Sequence, residues 1–153
     1  MPGKLELRRA TPADARAVRA LTRQAYAKWV PLIGREPMPM QADYERAVRE
    51  HRIDLAYADG TLAGLIETVA EPDHLLIENV AVEPSCQGRG IGRALLAHAE
   101  GLAAALGHGE VRLYTNKAFA RNVALYLKLG YRIDREETLA VGIAVHMSKA
   151  LSD

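Results

Sequence analysis

The stretch SCQGRGIGRALLAHAE, Ser85 to Glu100, places Gly88, Gly90 and Gly92 directly before a run of strong helix formers. Each glycine costs backbone entropy, so a helix start that keeps three of them needs a reason. Bare backbone at a helix N-terminus lets a phosphate approach the free N–H groups and the positive end of the helix dipole. The stretch therefore reads as a phosphate-binding loop that opens a helix from Ile91 to Leu106, closed by Gly107 and Gly109.

Three loop chemistries compete for this pattern. A Walker loop needs Lys and then Ser or Thr after its last glycine, but Gly92 is followed by Arg93 and Ala94. A dinucleotide fingerprint would fall on Gly88, Gly90 and Arg93, without its third glycine, and EPSC separates it from the preceding strand. The third pattern, Q-x-x-G-x-G, is met by Gln87, Gly90 and Gly92.

Outward from the loop, HLLIENVAV (74–82) is an apolar strand that carries Glu78 and Asn79 in mid-run. Before it, IDLAYAD and LAGLIETVAE flank Asp59-Gly60, a strong hairpin signal. Further upstream lie a short strand with Leu5 and Leu7 on one face, then a helix with Thr11 as N-cap and Pro12 at its first position. PLIGREPMPM breaks that helix, and QADYERAVREH resumes as a second one. Downstream, EVRLYTN is a strand, FARNVALYLKLG a helix closed by Gly130, and YRIDREETLAVGIAVHMSKAL two final strands. The order is β-α-α-β-β-β-α-β-α-β-β, a mixed α/β domain whose apolar strands predict a sheet covered on both faces.

The totals agree. A chain of 153 residues is the size of one domain, taken here as residues 1–153, and buries roughly two-thirds of its unfolded surface. Hydrophobic residues make up 49% and charged residues 25%, as in an ordinary globular protein. A net charge of +1 argues against a general nucleic-acid or membrane-surface binder. The single Cys86 allows no internal disulfide, and no apolar leader or membrane-length segment is visible, so a cytoplasmic location is expected.

NVAVEPSCQGRGIGRALLAHAE and NVALYLKLGYRI, the second with Tyr126 five residues before Tyr131, resemble the GNAT superfamily of N-acetyltransferases. The resemblance implies a central, mostly antiparallel sheet of about seven strands flanked by about four helices, and acetyl-CoA as donor with no metal. It places the donor's pyrophosphate on Gln87, Gly88, Arg89, Gly90, Ile91, Gly92 and Arg93. Its pantetheine arm would lie along Val80, Ala81 and Val82, pairing as an added strand would. Direct attack of an amine on the thioester then needs an oxyanion donor near Asn79 or Val80, a base, and an acid for the departing thiolate.

Tyr126 matches the family's usual position for that acid. Glu78 is the leading base, a carboxylate within an apolar strand; the alternative is a Glu78 that turns away to a neighbouring strand or tyrosine. Glu67 is a second base candidate, acting through water. The family often carries an Asn about seven residues before the Tyr, where this chain has Phe119; Asn122, one helical turn before Tyr126, is the nearest equivalent on that face. His74 and His146 have no supporting context.

In this family the first helices, their loop and the last strands choose the acceptor. Tyr26, Trp29, Met38, Met40 and Tyr44 are concentrated there, in a chain only 5% aromatic. Tyr26, Trp29, Tyr44 and Glu67 are expected to contact a small cationic or amino-acid-like amine. Two alternatives stay open, acetylation of a protein amine and a non-catalytic acetyl-CoA sensor. A homodimer is common among similar proteins, but no interface is specified.

Overall fold

The computed structural model describes residues 5–140 and 142–151. Strand β1 (Leu5–Arg9) is followed by helix α1 (Ala15–Tyr26), the one-turn helices α2 (Val30–Ile33) and α3 (Met38–Gln41), and α4 (Tyr44–Glu50). Strands β2 (Arg52–Ala58), β3 (Thr61–Ala70) and β4 (Leu75–Val82) form a meander. Helix α5 (Ile91–Ala105), β5 (Glu110–Asn116), α6 (Ala120–Lys128), β6 (Arg132–Leu139) and β7 (Gly142–Ala150) complete the chain. The seven strands form one sheet in the order β1-β2-β3-β4-β5-β7-β6.

Every neighbouring pair is antiparallel except β4 and β5, which are parallel and are joined through α5. A parallel pair cannot be joined by a hairpin, so a helix between the two strands is the expected connection. Apolar residues cover both faces of the sheet. Ile91, Leu95, Leu96, Ala99 and Ala103 of α5 pack on one, with Ile66, Ile77 and Val111. Val18, Leu21 and Ala25 of α1 pack on the other, with Ala47, Val48, Ile53 and Leu65. Gly64 lets α5 come close, since a Cβ there would stand 3.0 Å from the Ala81 carbonyl and 3.2 Å from both Ile91 and Leu95.

Three local details depart from the reading of the sequence. A short 3-10 turn, Pro12–Asp14, precedes α1, and the Asp14 carboxylate accepts the Thr11 N–H at 2.8 Å to close the cap. The proline-rich segment contains α2 and α3, because Pro31 and Pro39 lie at first-turn positions where the missing N–H costs nothing. The third is a bulge in β4. Glu67 pairs with Asn79 and Thr68 with Ile77, so Glu78 has no opposite residue on β3. Leu75 and Ile77 consequently join the α5 core while Ala81 joins the α1–α4 core.

Candidate active site

Beyond the bulge the sheet opens. The β4–β5 ladder runs only from Leu75–Val111 to Ile77–Leu113, although β4 continues to Val82 and β5 to Asn116. Two clefts, of about 470 and 360 Å³, flank this opening, and Tyr26 lines both.

The smaller cleft is bounded by the glycine loop. Gly88, Gly90 and Gly92 line it together with Val80, Val82, Gln87, Ile91 and Arg93, and α6 contributes Asn122 and Tyr126. Gly88 and Gly90 are left-handed, at φ +84° and +81°, and nothing lies within 4 Å of where their Cβ atoms would be. That conformation is costly for any side chain and turns successive N–H groups towards one open space. Helix α5 is 15 residues long, long enough for its N-terminal dipole to add to them. Gln87 ties the loop down, donating to the Val82 carbonyl at 3.1 Å and accepting from Lys28 at 3.0 Å. Burial and the nearby Arg121 hold the Lys28 ammonium below its usual range.

Arg89 is exposed and is not among the residues lining this cleft, and Ala81 turns its side chain to the opposite core. Tyr126 packs edge-to-face on Tyr131, with ring centroids 5.8 Å apart. Burial pushes its phenol up to about 12, so the proton stays on at neutral pH. Trp29 also lies here, stacked on Phe119 at 4.4 Å, and does not line the larger cleft beside Tyr26 and Tyr44 as its place in the sequence suggested. The reason is local: a 3-10 turn, Ala27–Trp29, carries the indole past the end of α1 towards the glycine loop.

The larger cleft is walled by side chains from α3, α4 and five strands or their ends. Glu78 and Asn79 both face it, two consecutive residues on one side because of the bulge. Asn79 is buried and fully partnered: it accepts from the Tyr26 hydroxyl at 2.9 Å and donates to Thr22 at 3.2 Å and Tyr44 at 3.3 Å. The Tyr44 hydroxyl in turn donates to the Pro39 carbonyl at 2.7 Å. Burial raises the Tyr26 and Tyr44 phenols, so both remain neutral donors.

Glu78 accepts from the Tyr114 hydroxyl at 2.8 Å and still lines the cleft, so its contact with a tyrosine on the neighbouring strand does not turn it away from that space. Burial and that carboxylate push the Tyr114 phenol up. Glu67 is only 4% exposed, and its Oε2 lies 2.6 Å from His51 Nδ1. Burial raises the Glu67 carboxyl, against the pull of His51. Met38 lines the cleft, whereas Met40 is buried beneath α1.

Arg35, His51, Tyr114 and Lys28 escaped the reading of the sequence. His51 and Tyr114 carry no local signal, since their roles depend on which strands are neighbours. Arg35 and Lys28 stood within segments singled out only for apolar and aromatic content.

A model of the acetyltransferase (GNAT) family matches residues 17–131. The chain is 35% identical over 138 residues to a mycothiol acetyltransferase of Clavibacter michiganensis, covering 86% of this chain and 44% of that protein. It is 36% identical over 76 residues to a streptothricin acetyltransferase of Streptomyces lavendulae, covering 48% of this chain and 40% of that one. The chain thus spans less than half the length of these curated relatives. Among solved structures, the PaiA N-acetyltransferase of Thermoplasma acidophilum, in complex with coenzyme A, superposes with a TM-score of 0.82 at 20% identity, over 96% of this chain and 99% of that one. This chain belongs to the acetyltransferase (GNAT) family, acyltransferases that draw their acetyl group from acetyl-CoA.

Proposed function

We propose that this protein is an N-acetyltransferase that moves the acetyl group of acetyl-CoA directly onto a primary amine of a small molecule. The observation that carries the reading is the unpaired edge of β4 from Glu78 to Val82, opening beside the left-handed glycines. An arm with amide groups fits such an edge as an added strand, and a pyrophosphate fits the open space over Gly88 and Gly90. Arg93 and Lys28 supply the countercharge.

Acetyl-CoA supplies a thioester-activated acetyl group. Main-chain N–H groups near Asn79 and Val80 are the oxyanion donors, on a strand whose position the Asn79 network fixes. Glu78 takes the proton of the incoming ammonium, directly or through water, and Tyr126 is the proton donor for the departing thiolate. Glu67 holds His51 at the edge of the same cleft and is the second candidate base. The cleft volume, and relatives named for streptothricin and mycothiol, support a small acceptor. The solitary Cys86 supports a reducing, cytoplasmic setting.

The test is a calorimetric titration with acetyl-CoA, alongside NAD and ATP, followed by thiol release with a panel of small amines. Binding of acetyl-CoA alone is expected. Tyr126→Phe should retain that binding and turn over on the order of 10- to 100-fold more slowly, since a thiolate leaves fairly well without help. Failure of acetyl-CoA to bind would overturn the reading.

A further inference from the structure

The charged side chains of the larger cleft are almost all spoken for. Arg46 pairs with Glu50 one turn on, and Asp43 accepts the N–H of Arg46 at the start of α4. His51 pairs with Glu67. Arg23 takes both oxygens of Glu36, which leaves Arg35 only a long contact of 3.5 Å to the Glu36 carbonyl. Among the described residues, Arg35 forms no ion pair, and Glu78 has no cation beside it.

These two unmatched charges lie at separate places in one cleft. A Cβ on Gly142 would stand 3.6 Å from Arg35 Nη2 and 3.4 Å from Asn116 Nδ2, so the two donors converge on the space that this glycine leaves open. Asn116 Oδ1 is occupied by the N–H of Ala118 at 2.9 Å, which turns the amide's donor end to the cleft. The spot therefore offers donors and positive charge, a setting for an anion. Glu78, held by Tyr114, offers the opposite setting. Tyr114 and Asn116 are two residues apart on β5, a rise of about 7 Å.

From this pairing we infer that the acceptor is an aminocarboxylic acid, its ammonium at Glu78 and its carboxylate at Arg35 and Asn116. The inference rests on the acetyltransferase reading and adds the substrate class. Guanidinium and carboxylate match in planar, two-point fashion, which fixes the acceptor end to end and presents its nitrogen near the opening between β4 and β5. A simple diamine would instead bring a second positive charge to Arg35.

The probes are glycine, β-alanine, 4-aminobutyrate and lysine, each set against the amine that lacks its carboxylate, with thiol release as readout. At least one acid is expected to exceed its decarboxylated partner in kcat/KM by about tenfold or more. Arg35→Ala should remove that advantage, chiefly through a KM raised on the order of 10- to 100-fold, and Arg35→Lys should restore part of it. Retained acetyl-CoA affinity in Arg35→Ala separates a lost acceptor contact from a lost fold. Amines that match or outrun their acids, or an Arg35→Ala variant that slows both classes equally, would overturn the inference and leave the transferase reading standing. If no probe turns over, titration of the four acids into CoA-loaded protein decides, and absence of binding overturns it too. Loss of acetyl-CoA binding itself is the separate failure of the reading beneath.

Discussion

The two clefts that meet at Tyr26 are made in opposite ways. The smaller one is built of main chain: left-handed glycines, the first N–H groups of α5 and the unpaired edge of β4. The larger one is built of side chains carried by many elements and held in place by a buried network centred on Asn79. A main-chain site tolerates most side-chain changes provided the backbone conformation survives. A side-chain site can change its ligand by single replacements, but each replacement disturbs a partner. One fold thereby sets a cleft fixed by its backbone beside a cleft that single replacements can alter.

The contrast is sharpest at Gly90. Glu at this position must adopt φ +81° at a cost of about 1–2 kcal/mol and set a negative charge in the phosphate space. Acetyl-CoA affinity should fall by at least about 100-fold in a calorimetric titration. An affinity within a few-fold of the parent would break the claim that this cleft is made of backbone. Next in size is Asn79→Ala, which strips a partner from Tyr26, Thr22 and Tyr44 together. A loss of about 2–4 kcal/mol is expected, read as a lower urea midpoint at unchanged slope. A loss under about 1 kcal/mol would mean that the side-chain cleft does not hang on this hub.

The smallest effect concerns pH. Burial favours the neutral Tyr126 phenol and raises it to about 12. Its contribution to stability is therefore complete below about pH 10, the ordinary tyrosine value, and fades as pH rises through the folded value. The pH–rate profile should show no falling limb from this group at or below about pH 10, and Tyr126→Phe should lower the curve without changing its shape. A limb centred near 10 that vanishes in the variant would show a solvated Tyr126 and sharpen the account of that wall.

Legibility in the sequence follows the same division. The glycine loop could be read because a residue type maps onto a backbone conformation locally, and residues 85–100 contain the whole device. Element order was legible from periodicity, down to the bounds of β5 at Glu110 and Asn116. The larger cleft was legible only in outline. The Asp59-Gly60 hairpin marks β2 and β3 as partners, but a bulge near Ala63 shifts their register by one, so counting from the turn misplaces Glu67 relative to β2. Strict alternation along β4 likewise puts Asn79 on the same face as Ile77, and the bulge sends it to the other. Trp29 was assigned by neighbourhood in sequence, and one tight turn carried it into the other cleft. Arg35 lay in a proline-rich segment where only β5 and β7, far away in sequence, give its charge a meaning.

The extra residue at Glu78 also bears on how this strand can diverge. Replacement at positions 78 to 82 changes one side chain and leaves the facing of the rest of the strand unchanged. Deletion of Glu78 would restore plain alternation with Asn79 and Ala81 still facing the α1–α4 core, and would remove the one position that brings a second consecutive side chain into the larger cleft. Substitution along β4 thus alters the larger cleft one side chain at a time, whereas loss of Glu78 removes its extra facing residue in one step.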